Sequence, residues 1–366
     1  MSETQQIPVR FEELTPVWLT VALRERGHLP SGEVSSVRTE QFGEGVGLMG
    51  QIARVVVEYI GAPAGTRTNF VVKIPALPGP NRQMAVDYRI YEKEVLFYER
   101  LAPRVPVRTP KVYFSAFNPE NHDFCLLLED LAPARVGSEL ADTSDDQVRL
   151  ALTELARFHA HWWDTAELKG LDFVPYLNQP PWQAHPEFYG YCWPIFKEKF
   201  ASQVSPYVLE CGERFGQTIL EMQELMSAGA CTIIHMDYRL PNLFFGDPDG
   251  DSPFAVIDWQ PYSRAHGGYD IGYFLAQSIP TEQRRRLQDE VLHLYHDTLL
   301  ANGVTNYTFD DCYRDFRLGV MYTWLYPVGT VGIDLANEHG RRYQQAILER
   351  HSATVEDIRA GEVLPG

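Results

Sequence analysis

The sequence predicts an α+β fold of two lobes: a small β-rich amino-terminal lobe over residues 1–130 and a larger, mainly helical carboxy-terminal lobe over 131–366. Three observations predict it. The chain has 366 residues, 45% of them hydrophobic and 22% charged, a globular balance in a chain long enough to build two lobes around a cleft. Up to about residue 130, short β-like runs are separated by Gly and Pro, and beyond it helical periodicities dominate. At the change stands Leu126-Leu127-Leu128-Glu129-Asp130-Leu131, an apolar strand that turns polar and stops before Pro133, and it reads as the connector.

Thr15-Pro16 opens the first helix, as an N-cap with proline at the first helical position, and Gly27 closes it beyond Trp18, Leu19 and Leu23. Gln41-Phe42-Gly43-Glu44-Gly45-Val46-Gly47 then precedes a strand, Ile52 to Tyr59, whose Ala53, Val55, Val57 and Tyr59 share a face. Lacking Cβ atoms, Gly43, Gly45 and Gly47 would let backbone amides approach a phosphate, although an ordinary β-turn leaves the same signal. In the next strand, Asn69 to Ile74, Phe70, Val72 and Ile74 point one way and Lys73 the other with Val71. A lysine there either faces solvent at an edge or is paired inside a cleft. After a Pro-rich turn at 75–80, a helix from Val86 onward carries the stripe Ile90, Phe97 and Leu101 with Glu94 on it. A carboxylate on a buried face needs a cation, and Lys73 is the natural one; Glu94 reaching water at the lobe edge is the other reading.

In the second lobe, Thr143 and Asp146 are expected to cap a helix with the core stripe Val148, Leu152, Leu155, His159 and Trp162. The most informative stretch follows: Ile233-Ile234-His235-Met236-Asp237-Tyr238-Arg239-Leu240-Pro241-Asn242, then, after a turn, Ala255-Val256-Ile257-Asp258-Trp259. A loop with Asp and Asn five residues apart, followed by an apolar run ending in Asp, is how kinases place a base and Mg²⁺ ligands around ATP. Asp237 would orient an acceptor hydroxyl and take its proton as the γ-phosphoryl group leaves. Asn242 and Asp258 would give oxygens to Mg²⁺, which takes few protein ligands beside phosphate and water. His235 is expected to be structural, bonded to backbone. The acidic turn Gly246 to Asp251 reads as a β-hairpin loop, since EF-hand spacing and its terminal Glu are missing.

Composition narrows the partners. A formal charge of −17 argues against binding a nucleic-acid backbone. Cys125, Cys192, Cys211, Cys231 and Cys312 show no CxxC spacing, and an odd count suits a reducing compartment. With no signal-like start and no apolar run of about 18 residues, the expectation is a cytoplasmic protein without membrane or obligatory protein partners. After Asp258, Gln260 to Gly268 leads almost at once into Tyr269-Asp270-Ile271-Gly272, which leaves little platform for a peptide acceptor. Asp270 is expected to cap that helix or to brace the preceding loop. The acceptor is then a small-molecule hydroxyl. Trp162, Trp163, Trp182, Tyr189, Trp193, Phe196, Trp259, Tyr262 and Tyr273 either line an apolar pocket for it or are core.

In their order, Gly43-Glu44-Gly45, Val71-Val72-Lys73, Glu94 before Phe97-Tyr98, Leu128 to Leu131, Leu155 to Ala160, His235 to Asn242 and Val256 to Gln260 resemble the aminoglycoside phosphotransferase superfamily. Within it the chain most resembles the ecdysteroid kinase-like branch, over about residues 40 to 300. The resemblance implies a two-lobed protein-kinase-like fold, ATP and Mg²⁺ as cofactors, and Asp237 as base. It also implies Asn242 and Asp258 as metal ligands, Lys73 and Glu94 at the ATP phosphates, and the Leu128 to Leu131 segment, with Glu129 and Leu131, at the adenine. Two positions depart from the pattern. Met236 stands where the family usually has Gly, and Arg239 stands where a cation near the γ-phosphate would sit, so that it either takes that role or bonds the loop backbone. The expected function is an ATP-dependent small-molecule kinase acting on an apolar, steroid-like alcohol. An aminoglycoside fits the negative charge equally, and a nucleotide-binding pseudokinase acting by interaction would have no need of all five of Lys73, Glu94, Asp237, Asn242 and Asp258.

Overall fold

The computed structural model describes residues 6–42, 49–141, 143–246, 254–332 and 338–366. The chain divides into two compact units, Met1–Arg104 with Thr109–Pro133, and Val105–Arg108 with Ala134–Gly366.

The first unit is built on an antiparallel sheet of β1 (Glu33–Phe42), β2 (Gly50–Ile60), β3 (Asn69–Pro75), β4 (Val112–Phe117) and β5 (Phe124–Glu129), in the order β1-β2-β3-β5-β4. Period-two alternation sorts its faces. Ala53, Val55 and Val57 of β2 and Phe70, Val72 and Ile74 of β3 join one core with Leu19 and Leu23 of the Pro16–Glu25 helix. That helix starts where its cap dictates, with the Thr15 hydroxyl accepting from the Trp18 amide at 3.2 Å. Lys73 pairs with Ile52 on one side and Leu126 on the other, so its strand is central and the edge reading is excluded. The helix expected from Val86 onward is broken. Pro80–Asp87 ends, Arg89 takes a left-handed φ of 54°, and a new helix runs Ile90–Leu96 into the wide turn Phe97–Leu101. No Gly or Pro marks that break, which is why the 3.6-residue stripe runs straight through it.

The second unit holds the small sheets β6-β8-β9 and β10-β7, from β6 (Arg135–Val136), β7 (Thr232–Ile234), β8 (Leu243–Phe245), β9 (Phe254–Val256) and β10 (Ser263–Ala265). Long helices, among them Asp145–Trp162, Pro206–Ser227, Thr281–Ala301 and Glu338–Asp357, make up most of the rest of this unit. The first of these buries Val148, Leu152, Leu155, His159 and Trp162. Its cap corrects the expectation of Thr143 and Asp146: Ser144 and Gln147 form the reciprocal box, at 3.2 and 2.9 Å, and Asp146 pairs with Arg149. Ser144 wins because its glutamine partner stands three residues on, as the box requires.

Gly268, which opens the Gly268–Tyr273 helix, lies backbone to backbone against Gly319 of the Phe309–Thr323 helix. A Cβ at Gly268 would overlap the Asp315 carbonyl, and one at Gly319 would overlap the Gly268 carbonyl. Only glycine admits this approach, and it seats the helix that carries Asp270. All five cysteines are buried and free, and burial pushes the thiols of Cys231 and Cys312 up to about 12. No helix among the described residues is long and apolar enough to cross a membrane. Gly43, Gly45, Gly47 and residues 247–251 of the expected hairpin turn lie outside the described residues.

Candidate active site

In the first unit, Lys73 Nζ lies 2.8 Å from Glu94 Oε1, and both side chains are almost fully buried. Buried charges this close hold each other in place, and removing one partner typically costs about 3–5 kcal/mol because it strands the other. The acidic residues at the end of β5 are spent within the same unit. Glu129 Oε1 lies 3.2 Å from Arg67 Nη2, and Asp130 Oδ2 accepts from Arg54 Nε at 2.6 Å. Leu131 is buried beside them.

In the second unit the loop after β7 is pinned from below. Asp270, fully buried, accepts from the amides of His235 (2.6 Å) and Met236 (2.9 Å), and its Oδ2 lies 3.1 Å from His159 Nε2. A carboxylate can only accept, so Nε2 of His159 carries the proton, and its Nδ1 faces the Tyr295 hydroxyl at 2.7 Å. Asp270 therefore braces the loop and caps nothing. His235 has the structural role: its Nε2 meets the Ile257 carbonyl at 2.9 Å, and its Nδ1 accepts from the Asp237 amide at 3.2 Å.

The carboxylate of Asp237 is held from three sides. Oδ1 accepts from Arg239 Nε and from the Tyr273 hydroxyl, each at 2.9 Å, and Oδ2 accepts from Asn242 Nδ2 at 2.7 Å. Asn242 Nδ2 also reaches the Asp237 carbonyl at 2.9 Å. With two oxygens opposite one side-chain atom, that atom must be the amide nitrogen, so the Asn242 oxygen is turned the other way as an acceptor. Asn242 and Asp258 are brought together by the backbone: the Ile257 amide donates to the Asn242 carbonyl at 3.0 Å, and Leu243 pairs with Val256. Among the described residues no three His, Cys, Asp or Glu side chains form a metal cluster. One amide oxygen and one carboxylate suit Mg²⁺, which fills its remaining positions with phosphate oxygens and water.

Arg239 spans two carboxylates, with Nη1 3.2 Å from Glu139 Oε1 in addition to its bond to Asp237. Burial works against its charge, but Asp237, Glu139 and neighbouring hydroxyls outweigh it and raise its pKa further. Burial pushes Glu139 up, with Arg239 opposing. Its contacts run to the side chains of Asp237, within the loop, and Glu139, outside it.

Met236 has the left-handed φ of 68° that the usual glycine would adopt freely, and Asp258 has 63°. Strain at Met236, about 1–2 kcal/mol, is smaller than the roughly 2–5 kcal/mol that truncating a buried Met side chain costs. Met236→Gly is therefore expected to destabilise the protein by about 2 kcal/mol in urea unfolding, and a more stable variant would show that strain dominates instead.

The aromatic residues offered as a pocket are mostly core: Trp162, Trp182, Tyr189, Trp193, Phe196, Trp259 and Tyr262 are buried. Tyr273, of that set, is bonded to Asp237. Sequence reasoning missed Glu139 and Tyr326, whose hydroxyl donates to the Met236 carbonyl at 2.8 Å. Neither lies in a periodic or motif-like position relative to the loop.

A family model described as the ecdysteroid kinase-like family matches residues 44–303. No curated protein is similar enough in sequence to count as a relative. Among solved structures, an ethanolamine kinase of Plasmodium vivax is 13% identical with a TM-score of 0.56, covering 89% of this chain and 83% of that one. The GDP complex of aminoglycoside 2'-phosphotransferase-IIIa is 15% identical with a TM-score of 0.54, covering 93% and 99%. A choline/ethanolamine kinase family protein of Mesorhizobium loti is 12% identical with a TM-score of 0.50, covering 89% and 92%. At these identities the likeness is one of fold, and the fold is kinase-like.

Proposed function

The chain belongs to the ecdysteroid kinase-like family, which makes it a phosphotransferase, and from that premise we propose an ATP- and Mg²⁺-dependent kinase acting on the hydroxyl of a small molecule. The observation that carries the reading is the trio Asp237, Asn242 and Arg239. One carboxylate is oriented by three donors, and the amide that orients it keeps its oxygen for a metal. Asp237 Oδ2, which accepts from Asn242 at 2.7 Å while Oδ1 takes two donors, is the atom for the acceptor hydroxyl. In in-line transfer the acceptor oxygen bonds to the γ-phosphorus, the bond to the β–γ bridging oxygen breaks, and the hydroxyl proton passes to Asp237. Bound Mg²⁺ would neutralise charge on the β and γ oxygens, with Asn242 and Asp258 holding it. Lys73, kept extended by Glu94, would bear on the α and β phosphates.

The family suggests a steroid-like alcohol as the acceptor to try first, with an aminoglycoside and ethanolamine, the substrates named for the structural neighbours, as comparisons. Calorimetric titration of Mg²⁺-ATP is expected to give a binding isotherm with the native chain and none with Asp258→Ala. Unaltered binding by the variant would remove Asp258 from the metal site. Binding by the native chain without transfer to any acceptor in an alcohol panel would favour a nucleotide-binding pseudokinase.

A further inference from the structure

The family match ends at residue 303, but the partners of the catalytic loop do not. The Tyr326 hydroxyl donates to the Met236 carbonyl at 2.8 Å and lies 2.9 Å from the Tyr269 hydroxyl. Its one proton is used on Met236, so Tyr269 is the donor between the two. The Tyr326 ring stacks on Tyr273, with centroids 4.4 Å apart and planes 17° from parallel, and Tyr273 is the residue that donates to Asp237. From the Glu338–Asp357 helix, the Tyr343 ring stands 5.8 Å from the Arg239 guanidinium. On the same helix the Arg350 guanidinium bonds the carbonyls of Glu139 (2.8 Å), Gln277 (3.1 Å) and Ser278 (3.0 Å). Arg350 thus fixes the backbone of the residue whose carboxylate pairs with Arg239.

These contacts converge on the two points where the loop departs from its family's pattern. Met236 is the strained residue directly before the base: Asp270 holds the N–H of the peptide that enters it, and Tyr326 holds the carbonyl of the peptide that joins it to Asp237. A rotation of that peptide would swing Asp237. Arg239 is the guanidinium that aims the Asp237 carboxylate, and an aromatic face against it restricts its rotamers while favouring its charge. We propose that the carboxy-terminal segment, through Tyr326, Tyr343 and Arg350, belongs to the catalytic apparatus as a set of positioning residues. Acting through Met236, Arg239 and Glu139, they hold Asp237 in line for its proton. The chemistry they serve is the kinase reading above.

The test uses the full chain and Mg²⁺-ATP, with water as the acceptor and ADP release as the readout, so that no alcohol has to be known. Tyr326→Phe removes only the hydroxyl. It is expected to lower kcat about tenfold, the effect of about one lost hydrogen bond's worth of positioning, while KM for ATP stays within about twofold. Tyr343→Ala is expected to lower kcat about fivefold, and Tyr343→Phe to recover most of it, because the ring is the part that faces Arg239. Thermal melts accompany each variant. If kcat of Tyr326→Phe and Tyr343→Ala stays within twofold of the native value, or if Tyr343→Phe is as impaired as the alanine variant, the proposal is overturned. A native chain that releases no ADP would count against the kinase reading instead, and amide exchange then decides the positioning role. Exchange at Met236 and Asp237 that is about tenfold faster in Tyr326→Phe, with β3 unaffected, supports it, and unchanged exchange overturns it.

Discussion

Asp237→Asn is expected to lower phosphoryl transfer by roughly 10² to 10⁴ while leaving affinity for ATP within about twofold. The carboxylate receives donors at both oxygens, from Arg239 and Tyr273 at Oδ1 and from Asn242 at Oδ2. An amide in its place must turn its own NH₂ toward one of those sides, donor against donor, whichever rotamer it takes. Part of the loss is therefore positional and part is the missing base. The frustrated contact should also lower stability by about 1–3 kcal/mol, which a thermal melt resolves from the kinetic effect. Steady-state transfer that is unchanged in the variant would dismiss Asp237 as the base. A loss confined to KM for ATP would make it a nucleotide contact.

Asp270→Ala is expected to destabilise the second unit by about 3–5 kcal/mol in denaturant unfolding. Two buried backbone amides and the His159 imidazole lose their shared acceptor at once, each at about 1–3 kcal/mol before relaxation. The variant retains Asp237, Asn242 and Asp258. Its turnover should nevertheless fall, since a displacement of about 1 Å at a reacting group can cost about 10² in rate. Asp270→Asn keeps one acceptor and should fall between the native chain and the alanine variant. Equal stability of all three proteins would mean that water replaces the carboxylate and that the loop stands without it.

What could be read from the sequence was whatever is written in local periodicity. The alternation of Phe70, Val72 and Ile74 put Lys73 on the face opposite the core, and the helical stripe through Ile90 and Phe97 put Glu94 where a carboxylate is out of place. Both are statements about neighbours within one element. Ser144 was missed as a cap in favour of its neighbours because a Thr, a Ser and two Asp stand in a row there, and only the position of Gln147 separates them. Arg89 breaks a helix with no residue that would announce it. Glu139 and Tyr326 were illegible for a different reason. They reach the loop from about a hundred residues before it and ninety after it, and a glutamate or tyrosine that bonds a distant backbone looks, in its own helix or turn, like any other. The aromatic residues near the loop left pocket and core both open, because burial in a core and lining of a pocket leave the same composition.

The five buried thiols have a practical consequence. A thiolate is the reactive form, and burial both hides these sulfurs and keeps them protonated well above neutral pH. An alkylating reagent therefore has little to attack until the chain opens. Cys125 lies in the first unit and Cys192, Cys211, Cys231 and Cys312 in the second, so the order in which the sulfurs are labelled is a clock that tells which unit comes apart first.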